Sequence, residues 1–200
     1  MAGLEWCVAT RTLPGQANSG DHHLVLDLLA GTLIAAVDGL GHGREAAVAA
    51  ETTIRTLRDN ARRPLVEIVT RCHERLRDTR GVVMSLATFD PREGTLTWLG
   101  VGNVEGLVLR SESRNGPSAV RLLLSPGVVG RQLPALHVET FPVRHGDTLV
   151  FATDGVDREF DRELDSALPV QTLAGRILEQ HVRDNDDALA LIARFPDGRS

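Results

Sequence analysis

Four acidic positions stand where strands should end. Asp21 follows Gly20, Asp38 is followed by Gly39, Asp154 by Gly155, and the pair Asp186-Asp187 precedes an apolar run. An aspartate beside a glycine also suits a plain turn, so each of these taken singly has a structural explanation. Their combination points further. Opposed residues of an antiparallel hairpin have a nearly constant sum of residue numbers. A turn centred near Ala30-Gly31 gives a sum close to that of Asp21 and Asp38, so both are expected at the same end of one antiparallel strand pair. Asp154 closes the apolar run Thr148 to Thr153 and Asp186 stands before the last one. If those two strands are antiparallel neighbours, their aspartates share an end as well. Carboxylates gathered on one edge repel each other, and cations are needed to keep them ionised near neutral pH. A site made only of oxygen ligands suits Mg²⁺ or Mn²⁺. Two such ions can share a water and make it nucleophilic. The segment Val37-Asp38-Gly39-Leu40-Gly41-His42-Gly43 adds glycines at alternating positions directly before a helix. There the backbone can approach an ion or a phosphate closely.

The elements that must position these residues follow from periodicity. Trp6 to Thr10 reads as a strand. His22 to Leu29 and Thr32 to Val37 read as a hairpin. Ala47, Ala50, Ile54, Leu57 and Ala61 have helical spacing from about Arg44, and Leu65, Val69, Cys72 and Leu76 repeat it after Pro64. Six strands are then expected: Val82 to Phe89, Thr95 to Val101, Val104 to Arg110, Val120 to Leu124, Leu136 to Val143 and Thr148 to Thr153. A third helix is expected after Pro169 and a last strand from Ala188 to Phe195. Helices grouped between blocks of hairpins imply an α+β chain with antiparallel sheets.

Composition narrows the chemistry. The chain has 200 residues, a formal charge of −5, and 42% hydrophobic and 24% charged residues. These are values for one globular domain, expected to span 1–200. All 22 basic residues are arginine, which excludes Schiff-base lysine chemistry and a Walker lysine. Tyrosine is absent as well. Cys7 and Cys72 are too few for a disulfide framework or a Cys-based zinc site, and they fit burial in a reducing, cytoplasmic setting. The acidic balance argues against nucleic-acid binding. Met1 to Val8 has no basic run, so no secretory leader is expected, and no apolar stretch is long enough to span a membrane. His22 and His23 read as strand residues. Arg58, Arg62, Arg63, Arg71, Arg75, Arg77 and Arg80 form a basic face, either solvated or docking an acidic partner. Asp157, Glu159, Asp161, Glu163 and Asp165 make an acidic segment after Asp154-Gly155.

The segment from Ala36 to Ala47 resembles the metal-binding signature of bacterial PPM-type serine/threonine phosphatases. Gly20-Asp21, Ala152-Thr153-Asp154-Gly155 and Asp186-Asp187-Ala188-Leu189 are similar to that family's other aspartate motifs, in the same order along nearly the whole chain. Leu189 stands where the family's last motif has threonine. The length, with Val101 to Gly106 and Ser125 to Gly130, resembles the small RsbX-type phosphatases of the stressosome. The resemblance implies an α-β-β-α sandwich of two antiparallel sheets flanked by helices. It implies two Mn²⁺ or Mg²⁺ ions held by Asp21, Asp38, the Gly39 carbonyl, Asp154 and Asp186. The nucleophile is then a water between the ions, and no side chain attacks phosphorus. His42 is placed as a supporting or helix-start residue, with proton donation to the leaving oxygen as the alternative. Arg11 is the only nearby match to the phosphate-binding arginine of many relatives. The implied function is that of a monomeric, cytoplasmic phosphatase acting on a phosphorylated stressosome scaffold protein. The alternatives are an anti-sigma-factor antagonist as substrate, or a phosphoprotein-binding pseudophosphatase. In this family the acidic segment corresponds to a variable flap near the site.

Overall fold

The computed structural model describes residues 4–111 and 119–196. The chain runs through β1 (Glu5–Arg11), β2 (Asp21–Leu28), β3 (Gly31–Gly39), α1 (Arg44–Asn60) and α2 (Leu65–Arg75). It continues through β4 (Val82–Asp90), β5 (Thr95–Val101), β6 (Glu105–Leu109), β7 (Ala119–Arg121), β8 (Glu139–Pro142) and β9 (Thr148–Ala152). After a 3₁₀ turn at Arg158–Glu163 come α3 (Val170–His181) and β10 (Ala188–Arg194). Two five-stranded sheets result, ordered β1-β10-β9-β6-β7 and β2-β3-β4-β5-β8. Every pairing is antiparallel. Helices α1 and α2 cover the outer face of the β3 sheet, and α3 covers the outer face of the β10 sheet. The expected α-β-β-α sandwich is the fold observed.

Period-two alternation assigns each strand residue to a layer. On β3, Leu33, Ala35 and Val37 pack toward α1 and α2, while Ile34 and Ala36 enter the seam between the sheets. On β10, Leu189, Leu191 and Ala193 enter the seam and Ala188, Ala190 and Ile192 face α3. Trp98 of β5 meets Phe151 of β9 across the seam with ring centroids 5.7 Å apart. Truncating Trp98, which is fully buried, would cost about 3–5 kcal/mol. Cys72 is buried under α2, which pushes its thiol up to about 12, so it behaves as a small apolar residue.

Two expected strands are shorter than their apolar runs. Val120 to Leu124 pairs only as far as Arg121, and Leu136 to Val143 pairs only over Glu139–Pro142. The stretch between them carries Pro126 and Pro134, which cannot donate to a ladder. It runs as a loop along β5 instead. Ser125 N donates to Gly100 O (3.0 Å) and Gly102 N donates to Ser125 O (2.9 Å).

Candidate metal centre

The carboxylates sit at one end of the seam because of that alternation. Asp38 follows Ile34 and Ala36 on the seam side of β3, and Asp21 is its direct partner on β2. Strands β9 and β10 are antiparallel neighbours with Ala152 opposite Ala190. Asp154, two residues past β9, and Asp186, two residues before β10, therefore share that end. Asp38, Asp154 and Asp186 line one cavity of about 420 Å³, together with Leu40, Gly41 and Asn103. Asp21 is 6% exposed and lies behind this cavity rather than in its wall.

Burial and mutual repulsion dominate the electrostatics. Burial, then the charges of Asp21, Asp154, Asp186 and Asp187, push Asp38 up to about 9. Burial likewise pushes Asp21 up to about 8, against a hydrogen bond from Thr153 that pulls it down. Asp186 is raised, first by burial and then by Asp154 and Asp187. Thr153 Oγ1 donates to Asp21 Oδ2 at 2.6 Å and accepts from Leu189 N at 2.8 Å. That hydroxyl links the two sheets at the site. Leu189 itself, at the position where the motif has threonine, is fully buried in the seam.

The other expected residues fall as follows. Gly39 is buried and outside the cavity wall; its N–H donates to Gly20 O at 3.0 Å. A side chain at Gly39 would strike the Ala46 carbonyl, so the glycine lets α1 pack onto the end of β3. Asp187 is buried and accepts from Leu13 N and Gly20 N, both at 2.7 Å. It ties the loop before β2 to the start of β10. His42 is exposed, and its charge acts on Asp186. Arg11 is paired with Asp184 at 2.6 Å and does not line the cavity.

Two residues gain roles that the sequence reading did not give them. Asn103 Nδ2 donates to Asp154 Oδ2 at 2.8 Å, while its Oδ1 is buried without a partner. An orphaned acceptor beside carboxylates is a position for a ligand's donor. Arg80 stands over Gly41, where an added Cβ would meet its Nη1 at 2.6 Å. It is paired with Glu45 at 2.5 Å, but both side chains are substantially exposed, so that pair is weak and exchangeable. Both residues come from loops; Asn103 reaches Asp154 because β6 pairs with β9, while Arg80 stands beside Gly41 without lining the cavity.

The acidic segment is no free anionic flap. Asp157 pairs with Arg183, Glu159 with Arg162, and Asp161 with Arg121. Asp157 is held below the usual carboxylate range, first by the Glu159 N–H and then by Arg183. The side chain of Glu163 lies outside the described residues. Residue Phe160 docks into the cluster under α3, so the turn packs on the outer layer. Of the arginine face, Arg63 and Arg71 are paired with Glu67.

Does the donor set fit divalent cations? Among the described residues, no three of His, Cys, Asp and Glu form a finished cation cage. Mg²⁺ and Mn²⁺ do not require one, since such ions keep several waters and take one or two carboxylates each. Three carboxylates on one cavity, a fourth behind them, raised proton affinities and the orphaned Asn103 oxygen all fit a pair of hydrated divalent ions.

Residues 30–197 match the family model described as Stage II sporulation protein E (SpoIIE). The chain belongs to the SpoIIE family. A solved structure from the bacterial stressosome, described as a modular system adapted to control secondary messenger signaling, is 30% identical with a TM-score of 0.87. The match covers 96% of this chain and 100% of that one. The structure of RsbX in complex with magnesium is 18% identical over 97% of this chain and 99% of that one, with a TM-score of 0.83. The PPM Ser-Thr phosphatase MsPP from Mycobacterium smegmatis, in complex with cacodylate, is 19% identical over 97% and 100%, with a TM-score of 0.73. No curated protein gives a significant sequence match. This member of the SpoIIE family thus has the fold of the PPM phosphatases and resembles RsbX.

Proposed function

We propose that the chain is a metal-dependent phosphoserine/phosphothreonine protein phosphatase. The observation that carries this is the meeting of Asp38, Asp154 and Asp186 on one cavity with no basic side chain in its wall among the described residues. Divalent ions bound there would neutralise a phosphate and supply an activated water. The residues' own tasks follow from their contacts. Asp38, Asp154 and Asp186 would hold the cations, with Asp21 behind Asp38 adding charge. Thr153 fixes Asp21, and Asn103 fixes Asp154 while offering Oδ1 to an ordered water. The Gly39 carbonyl is a further ligand in the family pattern. His42, exposed beside Asp186, is placed to hold a proton near a leaving oxygen. Arg80 can leave Glu45 for the phosphate. Cacodylate in the MsPP structure and magnesium in the RsbX structure support an oxyanion-and-cation site of this kind.

The substrate we propose is a phosphorylated stressosome scaffold or an anti-sigma-antagonist-like protein, in keeping with the RsbX and stressosome structures. The chain acts as one domain over 1–200, as a cytoplasmic monomer. Among the described residues, no helix is long and apolar enough to cross a membrane. The test is hydrolysis of p-nitrophenyl phosphate by the pure protein with Mn²⁺, Mg²⁺ or chelator. Turnover with either ion and none with chelator is expected. Binding of a phosphoprotein without turnover under any metal would make the chain a phosphoprotein binder instead.

A further inference from the structure

Beside the carboxylate cavity lies a cleft of opposite chemistry. It is a cavity of about 760 Å³ lined by Trp98, Leu123, Leu124, Pro134 and Val138, and its ionisable lining residues are His137 and Glu139 alone. Pro126 belongs to the walls of both spaces, so the two adjoin. Leu123 is 75% exposed and Val138 42%, two of the six large apolar residues exposed among the described residues. Exposed apolar side chains gathered in one concave surface mark a binding face.

The cleft is also preformed. Trp98 lies over Gly100 and Gly106, where a side chain on Gly100 would strike the ring. The loop that forms the other wall is tied to β5 through Ser125 and to β4 through reciprocal Val82–Val129 bonds of 2.9 Å. A rigid apolar floor loses little entropy when a side chain settles on it.

We propose that this cleft seats an apolar side chain of the protein substrate, near in sequence to the phosphorylated residue. This rests on the phosphatase reading above. A carboxylate-and-cation site recognises phosphate and cannot tell one phosphoprotein from another, so discrimination must come from the adjoining surface. The shared Pro126 wall sets the distance. At about 3.3 Å per residue, an extended chain carries a side chain about two to four positions from the phosphosite into the cleft. The occupant is apolar because Trp98, Leu123, Leu124, Pro134 and Val138 make up most of the lining. Burial of one leucine-sized group there corresponds to a preference of about tenfold to a hundredfold in kcat/KM.

The test scans leucine through the flanking positions of a phosphoserine peptide built otherwise from Gly, Ser and Asn, with Mn²⁺ present. The chain has two tryptophans, so Trp6→Phe leaves Trp98 as the sole emitter and its fluorescence reports occupancy. One leucine position should raise kcat/KM about tenfold or more and shift Trp98 emission. Leu123→Asp should erase both effects while the p-nitrophenyl phosphate rate stays unchanged. Val138→Asp repeats the test from the other wall, should Leu123→Asp fold poorly by circular dichroism. Absence of any preferred position, or equal losses on peptide and aryl phosphate, would overturn the proposal. So would a concentration-dependent dimer dissolved by Leu123→Asp, since the occupant would then be a second copy. Where neither phosphate is hydrolysed, the phosphatase reading falls separately and the emission decides. A position-dependent shift removed by Leu123→Asp keeps the cleft as a binding site, and no shift overturns it.

Discussion

The two ends of β9 treat a carboxylate in opposite ways. At its start, Asp147 is 1% exposed and saturated: Arg110 Nη1 donates at 2.7 Å, and the Arg144 and Ser111 N–H groups each donate at 3.0 Å. At its exit, Asp154 receives, among the described residues, only the Asn103 amide and lines one cavity with Asp38 and Asp186. Asp38 receives no side-chain hydrogen bond and no arginine among the described residues. A buried acid kept for structure is surrounded by its own donors. An acid kept for a ligand is left short of them, and the deficit is concentrated at one end of one seam. The same fold thus contains both a completed and an incomplete solution to burying negative charge.

Exchanging one acid for its amide at each end separates these roles most sharply. Asp38→Asn should lower metal-dependent turnover by about a thousandfold or more while leaving the metal-free fold intact, because it relieves repulsion. Asp147→Asn should do the reverse. It breaks a buried charge-assisted network, costing about 2–4 kcal/mol in denaturant titration, while activity per folded molecule survives. If both variants lost stability equally and neither lost turnover, the contrast would be void.

The next effect is on pH. Asp21 and Asp38, at about 8 and about 9, lie above the usual 3.8, so the folded protein holds protons that the unfolded chain releases. Their contribution to metal-free stability is fully present below about pH 4 and is lost as pH rises through 8 to 9. Thermal melts with chelator should therefore show a falling midpoint between pH 6 and about pH 9. Added Mn²⁺ should restore it at pH 8 by binding only the folded state. A metal-free midpoint that rises over that range would contradict the arrangement.

The smallest effect is expected at the acidic turn. Glu159 pairs with Arg162 at the surface, so Glu159→Arg should change stability by less than about 1 kcal/mol. It should leave the p-nitrophenyl phosphate rate unaltered. A large change in that rate would place the turn over the site.

Much of the site was legible because strand registry is arithmetic. The turn expected near Ala30-Gly31 falls one residue earlier, at Leu29-Ala30, which puts Asp21 directly opposite Asp38, and the shared end of Asp154 and Asp186 follows from two antiparallel neighbours. The helices were legible from apolar spacing. What escaped were contacts between segments distant in sequence. Asn103 looks like an ordinary loop residue and Thr153 like an ordinary strand end until the strands pair and the sheets stack, which brings them to Asp154 and Asp21. The acidic run read as a charged flap because its partners Arg121 and Arg183 lie on other elements. The apolar runs Val120 to Leu124 and Leu136 to Val143 read as full strands, yet their inner halves form the cleft wall. Apolar character marks burial or binding equally, and only the course of the loop distinguishes them.

The pairing of β1 with β10 also sets the order in which the molecule can be built. Strands β2 to β5 are joined by local hairpins and helices, and their sheet can form while the rest of the chain is still being synthesised. β1 must wait for β10 before it has a ladder partner. A nascent β2–β5 sheet can therefore hold Asp21 against Asp38 before Asp154, Asp186 and Asp187 have been made. The full carboxylate cluster therefore forms only once β9 and β10 have closed the second sheet.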